Sequence, residues 1–361
     1  MLFRSGGDAG RHSLDRMARE LDVELRHDLL DRVDAADHRA VTGGGQQVEY
    51  DTLVVTLGAA RQPAWPRVLT FRDESDSEAV HGLVQDVEAG YTRRIAFVVP
   101  PGITWTLPLY ELALMTAQRI WESSLEASLT LITPEPGPLA VFGDRASRAV
   151  GDLLAAAKVS VETSAYADVP RGGEVVLRPD ERHMTFERIV ALPLLRGRPV
   201  DGLPSDEHGF IHVDEHCAVI GADDVWAAGD GTHFPIKQGG IATQQADAIA
   251  TVLAARAGAE VDPQPFEPIL RGKLLTGDKD RFLRADPRGG HGETSEASAV
   301  PLWWPPGKIA GKYLAPYLAG STGAPADADG VEVEVPLNDA EVRRLLTLVP
   351  DEHGFRAERL G

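Results

Sequence analysis

Asp224-Val-Trp-Ala-Ala-Gly-Asp230-Gly-Thr-His-Phe-Pro-Ile-Lys237-Gln-Gly-Gly-Ile-Ala-Thr-Gln-Gln-Ala-Asp-Ala-Ile-Ala250 is the stretch from which the rest of the chain can be read. Val225 to Ala228 is a short apolar run that ends in Gly229-Asp230, the pattern of a buried strand closed by a glycine. A glycine there lets another group approach the backbone closely. An aspartate at the carboxyl end of such a strand stands where α/β folds meet their ligands, and it can accept a hydroxyl. The loop then runs into an Ala-rich helix from about Gly239 to Arg256, opening on two glycines. The free N–H groups and positive dipole end of that helix favour an electron-rich or anionic partner.

Outward from this run, helical and strand patterns alternate, which predicts an α/β architecture. Helices are expected at Ser13–Leu21, Val80–Glu88, Leu107–Trp121 and Arg145–Ala157. Strands are expected at Val23–Leu29, Val48–Thr56, Arg94–Val99, Ser128–Thr133, Val159–Thr163 and Ile189–Leu192. Gly43-Gly-Gly45 reads as a hairpin turn. Asp286 to Ser298 reads as a mobile loop and Gly320 to Gly330 as a linker, followed by a strand at Val331–Val335 and a helix at Asn338–Leu348.

The chain has 361 residues, 43% of them hydrophobic, enough for two or three domains with real cores. Its formal net charge is −19. That balance argues against nucleic-acid partners, whose phosphates need cationic neutralisation, and against attraction to anionic lipid. The single cysteine, Cys217, excludes an intrachain disulfide, a CxxC pair and a Cys-rich metal site. His208, His212 and His216 recur every four residues, but the Phe-Ile-His-Val alternation predicts strand, which argues against a metal site. No window approaches the roughly 18 apolar residues of a membrane span, and no signal-peptide core precedes residue 30. A cytoplasmic protein is the default expectation.

The Gly229-Asp230 run resembles the second FAD-binding motif of the two-dinucleotide-domain flavoproteins. These include the pyridine nucleotide-disulfide oxidoreductases, type II NADH dehydrogenases and sulfide:quinone oxidoreductases. The resemblance implies that Gly229 and Asp230 hold the ribityl chain of FAD. It implies that Lys237, Gln238, Gly239 and Gly240 lie against the pyrimidine edge of the flavin. Tyr50-Asp-Thr-Leu-Val-Val-Thr56-Leu-Gly58-Ala-Ala-Arg61 is similar to the family's Tyr-Asp-x-Leu-Val-x-Ala-Thr-Gly segment, which implies that Thr56 and Gly58 lie beside FAD. The two matches fall in the family's order.

A third segment, Ile95-Ala-Phe-Val-Val-Pro100-Pro-Gly-Ile-Thr-Trp105-Thr-Leu-Pro-Leu-Tyr-Glu111, sits where the family places its NAD(P)H fingerprint. Pro100 and Pro101 supply no N–H donors, and Trp105 and Leu107 put side chains where backbone must approach a pyrophosphate. NAD(P) is therefore a doubtful cofactor, and the departure points to members with another donor. The redox cysteines of the disulfide and sulfide:quinone enzymes are absent, and Cys217 reads as an ordinary thiol. The family's Gly-x-Gly-x-x-Gly βαβ unit is also not found in the sequence, so the chain reads as starting inside the first domain, through a misassigned start or as a truncated relative.

The resemblance implies two Rossmann-like FAD/NAD(P)-binding domains, the first discontinuous and N-terminally incomplete, plus a small C-terminal region. The expected boundaries are 1–72 and 201–260 for the first, 73–200 for the second, and 261–361 for the capping or interface region. The implied function is two-electron transfer from a small donor through FAD to an acceptor, with a quinone as a candidate. The alternative is a non-catalytic, FAD-free relative acting as a binding or dimerisation module. An NAD(P)H dehydrogenase is the third reading. The aromatic run Leu302 to Leu318, which lacks acidic residues, reads either as a core segment or as an acceptor-side or membrane-facing surface. Peripheral contact with the inner membrane face and a homodimer stay open.

Overall fold

The computed structural model describes residues 12–285 and 295–320. The expected strand Val331–Val335, the helix Asn338–Leu348 and the linker beyond Gly320 lie outside the described residues.

In chain order, α1 (Leu14–Glu20) is capped by Ser13, whose hydroxyl accepts from the Arg16 N–H. β1 (Leu30–Asp34), β2 (Arg39–Thr42) and β3 (Gln47–Glu49) form an antiparallel meander. β4 (Leu53–Val55), β5 (Ala60–Gln62) and β6 (Leu69–Thr70) follow. Next come α2 (Ser77–Glu88), β7 (Arg94–Val98), α3 (Leu107–Glu122), β8 (Ser128–Ile132), α4 (Gly143–Ala156) and β9 (Val159–Glu162). A second meander holds β10 (Tyr166–Arg171), β11 (Glu174–Arg178) and β12 (Arg182–Thr185). β13 (Arg188–Ala191), β14 (Leu194–Arg196), β15 (Val225–Ala227) and α5 (Gly239–Arg256) come next. The last elements are β16 (Arg271–Leu274), β17 (Arg281–Arg284), β18 (Glu296–Ser298) and α6 (Leu314–Leu318).

The largest sheet is parallel, in the order β6-β13-β7-β8-β9. From Ile95 onward β7 is apolar because it is buried on both faces. Ile95, Phe97 and Val99 pack with α2, α3 and α4. Ala96 and Val98 point the other way, onto Ala167 and Val169 of β10 and Val175 and Leu177 of β11. One face is thus covered by helices and the other by a β-meander.

A second parallel pairing joins β15 to β4, with Val225 opposite Leu53 and Ala227 opposite Val55. β15 is also sandwiched. Val225 and Ala227 face Val33, Val55, Ile211 and Val219, whereas Trp226 and Ala228 face Cys217 and Ile249 of α5. The two segments that connect this unit to the larger sheet, β5 and β14, pair with each other antiparallel. β16, β17 and β18 form an antiparallel sheet against α3 and α4.

Three expectations need correction. Val23–Leu29 forms no strand, and the extended segment starts at Leu30, where pairing with Arg39–Thr42 supplies the ladder. Val23, Leu25 and Leu29 alternate but are exposed, so an apolar alternation alone misplaced the strand. Val48–Thr56 is two strands, β3 and β4, broken at residues 50–52 because each pairs in a different sheet. Asp286 to Ser298 is not all loop: residues 286–294 lie outside the described residues, but Glu296–Ser298 pairs with β17. Most of the strand content in the meanders was not anticipated, because short, half-polar strands carry little local signal. Gly43–Gly45 does turn the chain between β2 and β3, with Gly45 at φ +80°.

Gly202 ties the two halves of the first unit together. Asp201 accepts from the Val33 N–H at 2.8 Å, and Gly202 sits at φ +83° with a Cβ position only 1.8 Å from the Val33 carbonyl oxygen. The neighbour is backbone and cannot swing aside. Gly202→Ala is expected to cost about 3 kcal/mol or more, from left-handed strain plus overpacking. Urea unfolding of the two proteins checks it, and equal midpoints would contradict it.

Candidate functional site

The β4–β15 pairing brings two glycine-bearing strand ends side by side. The Ala228 N–H donates to the Val55 carbonyl at 3.0 Å, extending the ladder up to Gly229. Gly229 lies at φ +80° and Gly58 at φ +65°, conformations that glycine adopts without strain. Gly231 passes Gly58 so closely that a Cβ would stand 3.1 Å from the Gly58 oxygen. The turn between them is locked by side chains. Gln245 of α5 accepts from the Gly229 N–H at 2.7 Å, and the buried Thr232 hydroxyl donates to the Gly229 carbonyl at 3.0 Å.

Asp230 projects from this turn half-buried. No hydrogen-bond donor reaches its carboxylate among the described residues. Burial raises its pKa, against the opposing pull of Lys237 and Arg61. Lys237 donates from Nζ to the Thr232 carbonyl and lies 4.0 Å from the centre of the Phe210 ring. Burial lowers its pKa to about 8, with Asp230 and Asp206 pulling the other way. The site thus holds an unpaired acceptor beside a cation that titrates close to neutrality.

α5 begins on the same side. Gln238 is its N-cap: Oε1 accepts from the Ile241 N–H at 3.0 Å while Nε2 donates to the Arg271 carbonyl at 2.9 Å. The side chain of Gln238 is therefore engaged in the fold. Gly239 is exposed and Gly240 buried, at the first two helical positions. Thr56 is exposed at the end of β4. Of the residues singled out from the sequence, Gly58, Gly229, Asp230, Lys237, Gly239 and Gly240 thus lie along the ends of β4 and β15 and the start of α5.

The C-terminal run lies across this helix. Ile309 approaches Gly239, with Cγ1 3.8 Å from its Cβ position, and the Lys312 N–H donates to Asp247 at 2.7 Å. Next to Ile309, Lys308 grips Glu111 of α3, with Nζ 2.6 Å from each carboxylate oxygen. The Leu275 N–H donates to the same carboxylate at 2.9 Å. Glu111 is 5% exposed, and burial raises its pKa despite Lys308. Trp303 packs edge-on against Phe282, while Trp304 stays exposed. The run is therefore part core and part surface.

Other sequence candidates stand apart from this arrangement. Cys217 is buried, and burial pushes its thiol up to about 12, far from a reactive thiolate. His212 stacks on His233 at 4.7 Å, not on His208 or His216. Gln245 and the Glu111–Lys308 pair were missed, because each acts through a partner many residues away, and Thr232 was missed although it bonds Gly229 three residues before it. A glutamine pair inside an Ala-rich helix was the one local signal.

No protein-family model and no curated protein sequence matches the chain. Solved structures do. Sulfide:quinone oxidoreductase from Aquifex aeolicus superposes with a TM-score of 0.71 at 16% identity, over 82% of this chain and 77% of that one. A ferredoxin reductase from Rhodopseudomonas palustris gives 0.58 at 19% identity, over 78% and 70%. Putidaredoxin reductase, in its covalent complex with putidaredoxin, gives 0.55 at 15%, over 78% and 70%. The chain has the two-unit Rossmann-type fold that these oxidoreductases share.

The Glu111–Lys308 pair sets a pH-dependent prediction. The native carboxyl binds its proton more tightly than the unfolded one, so stability falls as pH rises from the ordinary carboxylate pKa through the raised native value. Lys308→Ala removes the charge that holds this value down. Its destabilisation is expected to be full above that window and to fade once Glu111 is protonated in acid. Because Lys308 is half exposed, the loss should stay below the about 3–5 kcal/mol of a fully buried pair. Urea unfolding from pH 5 to 8 tests this, and a pH-independent difference would contradict it.

Proposed function

We propose that this chain is an FAD-dependent oxidoreductase. It passes two electrons from a small donor, not a nicotinamide nucleotide, through the flavin to an acceptor of the quinone class. The observation that carries the reading is Asp230: a half-buried carboxylate at the end of a parallel strand, with no donor of its own, beside two bare glycine backbones. A partly desolvated carboxylate with no protein donor is open to a ligand hydroxyl, which would replace its remaining water.

The residues present fit the ribityl and flavin half of FAD. The positive-φ glycines at 58 and 229 and the bare Gly231 leave backbone where a side chain would block approach. A Gly-x-Gly-x-x-Gly strand–turn–helix unit for the pyrophosphate does not occur among the described residues.

When bound, FAD supplies reversible two-electron transfer. Asp230 would accept from a ribityl hydroxyl and set the cofactor's position along the β4–β15 seam. Lys237 and the Gly239 and Gly240 N–H groups would present positive potential to the electron-rich edge facing them, fixed in advance by the fold. With its pKa near 8, Lys237 can hold or release a proton at Nζ in the working pH range. Exposed Ile309, against Gly239 at the start of α5, supports entry of an apolar acceptor. No helix among the described residues is long and apolar enough to cross a membrane. A peripheral position on the inner membrane face and a homodimer belong to the same proposal, as does a cytoplasmic location.

Titration of apoprotein with FAD, followed by flavin fluorescence, tests the reading. Asp230→Ala should weaken affinity roughly 10- to 150-fold, the equivalent of about 1.5–3 kcal/mol for a hydrogen bond to a charged group. Exposed Asp223 supplies the control. Asp224 does not, because it pairs with Arg256 and His38. No FAD uptake, or equal affinity for wild type and Asp230→Ala, would favour the non-catalytic binding module.

A further inference from the structure

The larger sheet reverses its strand order beside β7, between β8 on one side and β13 on the other. In parallel sheets the crevice beyond the carboxyl ends at such a point receives nucleotides, and an acidic residue beyond the second strand accepts the ribose hydroxyls. The second strand here is β8, and the acidic residue beyond it is Glu135.

Glu135 faces inward. Its Oε2 accepts from the Tyr110 hydroxyl and from the Thr133 hydroxyl, each at 2.8 Å. Tyr110 is fully buried on α3, and Thr133 is fully buried at the end of β8. The hydroxyl of Thr106, the N-cap of α3, is buried beside the same carboxyl, as is the Ala140 N–H. A carboxylate has about four acceptor sites, and here Tyr110 and Thr133 take both of those on Oε2.

We propose that Glu135 closes the second nucleotide site from within. The Tyr110 and Thr133 hydroxyls occupy the acceptor positions that ribose hydroxyls would need, so the chain excludes NADH and NADPH.

Independent contacts cover the same mouth. Trp105 packs edge-on against Phe142, and Gly272 of β16 presses on Phe142 and Leu107 so closely that a Cβ would stand 2.4 Å from the Phe142 ring. Ser295 accepts from the N–H groups of Arg145 and Ala146 in the first turn of α4, at 2.8 and 3.1 Å. The Thr104 hydroxyl donates to the Pro235 carbonyl at 2.5 Å, tying the proline turn to the first unit. The start of α3, which would face a pyrophosphate, and the start of α4 beside it are thus covered by the chain itself. The inference deepens the reading of the electron donor; it depends on the fold and not on FAD.

Two measurements without flavin test it. Titration of the wild-type chain with NADH, NADPH and ADP-ribose, by calorimetry, should show no saturation up to about 1 mM. Tyr110→Phe and Glu135→Gln should each lower the Tm by several degrees, and the double variant by less than their sum, as coupled partners do. Saturable NADH binding that Glu135→Gln weakens, with the Tm unmoved, would make Glu135 an open ribose acceptor and overturn the proposal. Additive or absent Tm losses would also overturn it. Tyr110→Phe keeps the test usable if Glu135→Gln fails to fold. Failure here leaves the FAD titration standing, and failure there leaves this one standing.

Discussion

The parallel pairing of Leu53–Val55 with Val225–Ala227 is the constraint on which the rest of the molecule depends. It joins two stretches separated by the whole larger sheet. Such a contact must overcome a long loop closure, which the protein offsets by burying β15 on both faces. The pairing fixes where Gly58 and Gly229 end up, and Gln245 and Thr232 then lock the turn that aims Asp230. If β4 slipped by one residue, every inward side chain would point outward and the two glycines would no longer meet.

The two connecting segments add a second constraint. β5 and β14 pair with each other, so the chain leaves and re-enters the first unit through a single antiparallel ribbon. The C-terminal sheet bridges the same gap from the other side. Gln238 reaches Arg271, and Lys308 reaches Glu111. The start of α5 is therefore referenced to both units at once. The two strand-end crevices have diverged in character. One leaves an unpaired carboxylate and bare backbone; the other fills its acceptors with Tyr110 and Thr133 and covers its helix starts with Phe142 and Ser295.

Much of this was legible in the sequence where burial leaves a mark. The apolar run Arg94–Val99 predicted a strand, and the structure buries it on both faces. The Gly-Asp run predicted the strand–loop–helix turn with its aspartate at the tip. What stayed hidden was partner choice. Nothing local in Val23–Leu29 says that no strand lies beside it, and nothing in Tyr110 names Glu135. Gln238 illustrates the limit: its place at the start of α5 was anticipated, yet its side chain is spent on capping Ile241 and on Arg271. The proline turn marked the place where N–H donors are missing, but the inward contacts of Glu135 with Tyr110 and Thr133 required the fold.

The central claim is that ligand binding belongs to the β4–β15 seam and not to the larger sheet. Hydrogen–deuterium exchange of the full chain, with and without saturating FAD, tests this most directly. The account predicts slower exchange at residues 56–60 and 228–241 and no change at residues 99–111. Protection at 99–111 with none at 228–241 would place the cofactor in the other crevice and contradict it.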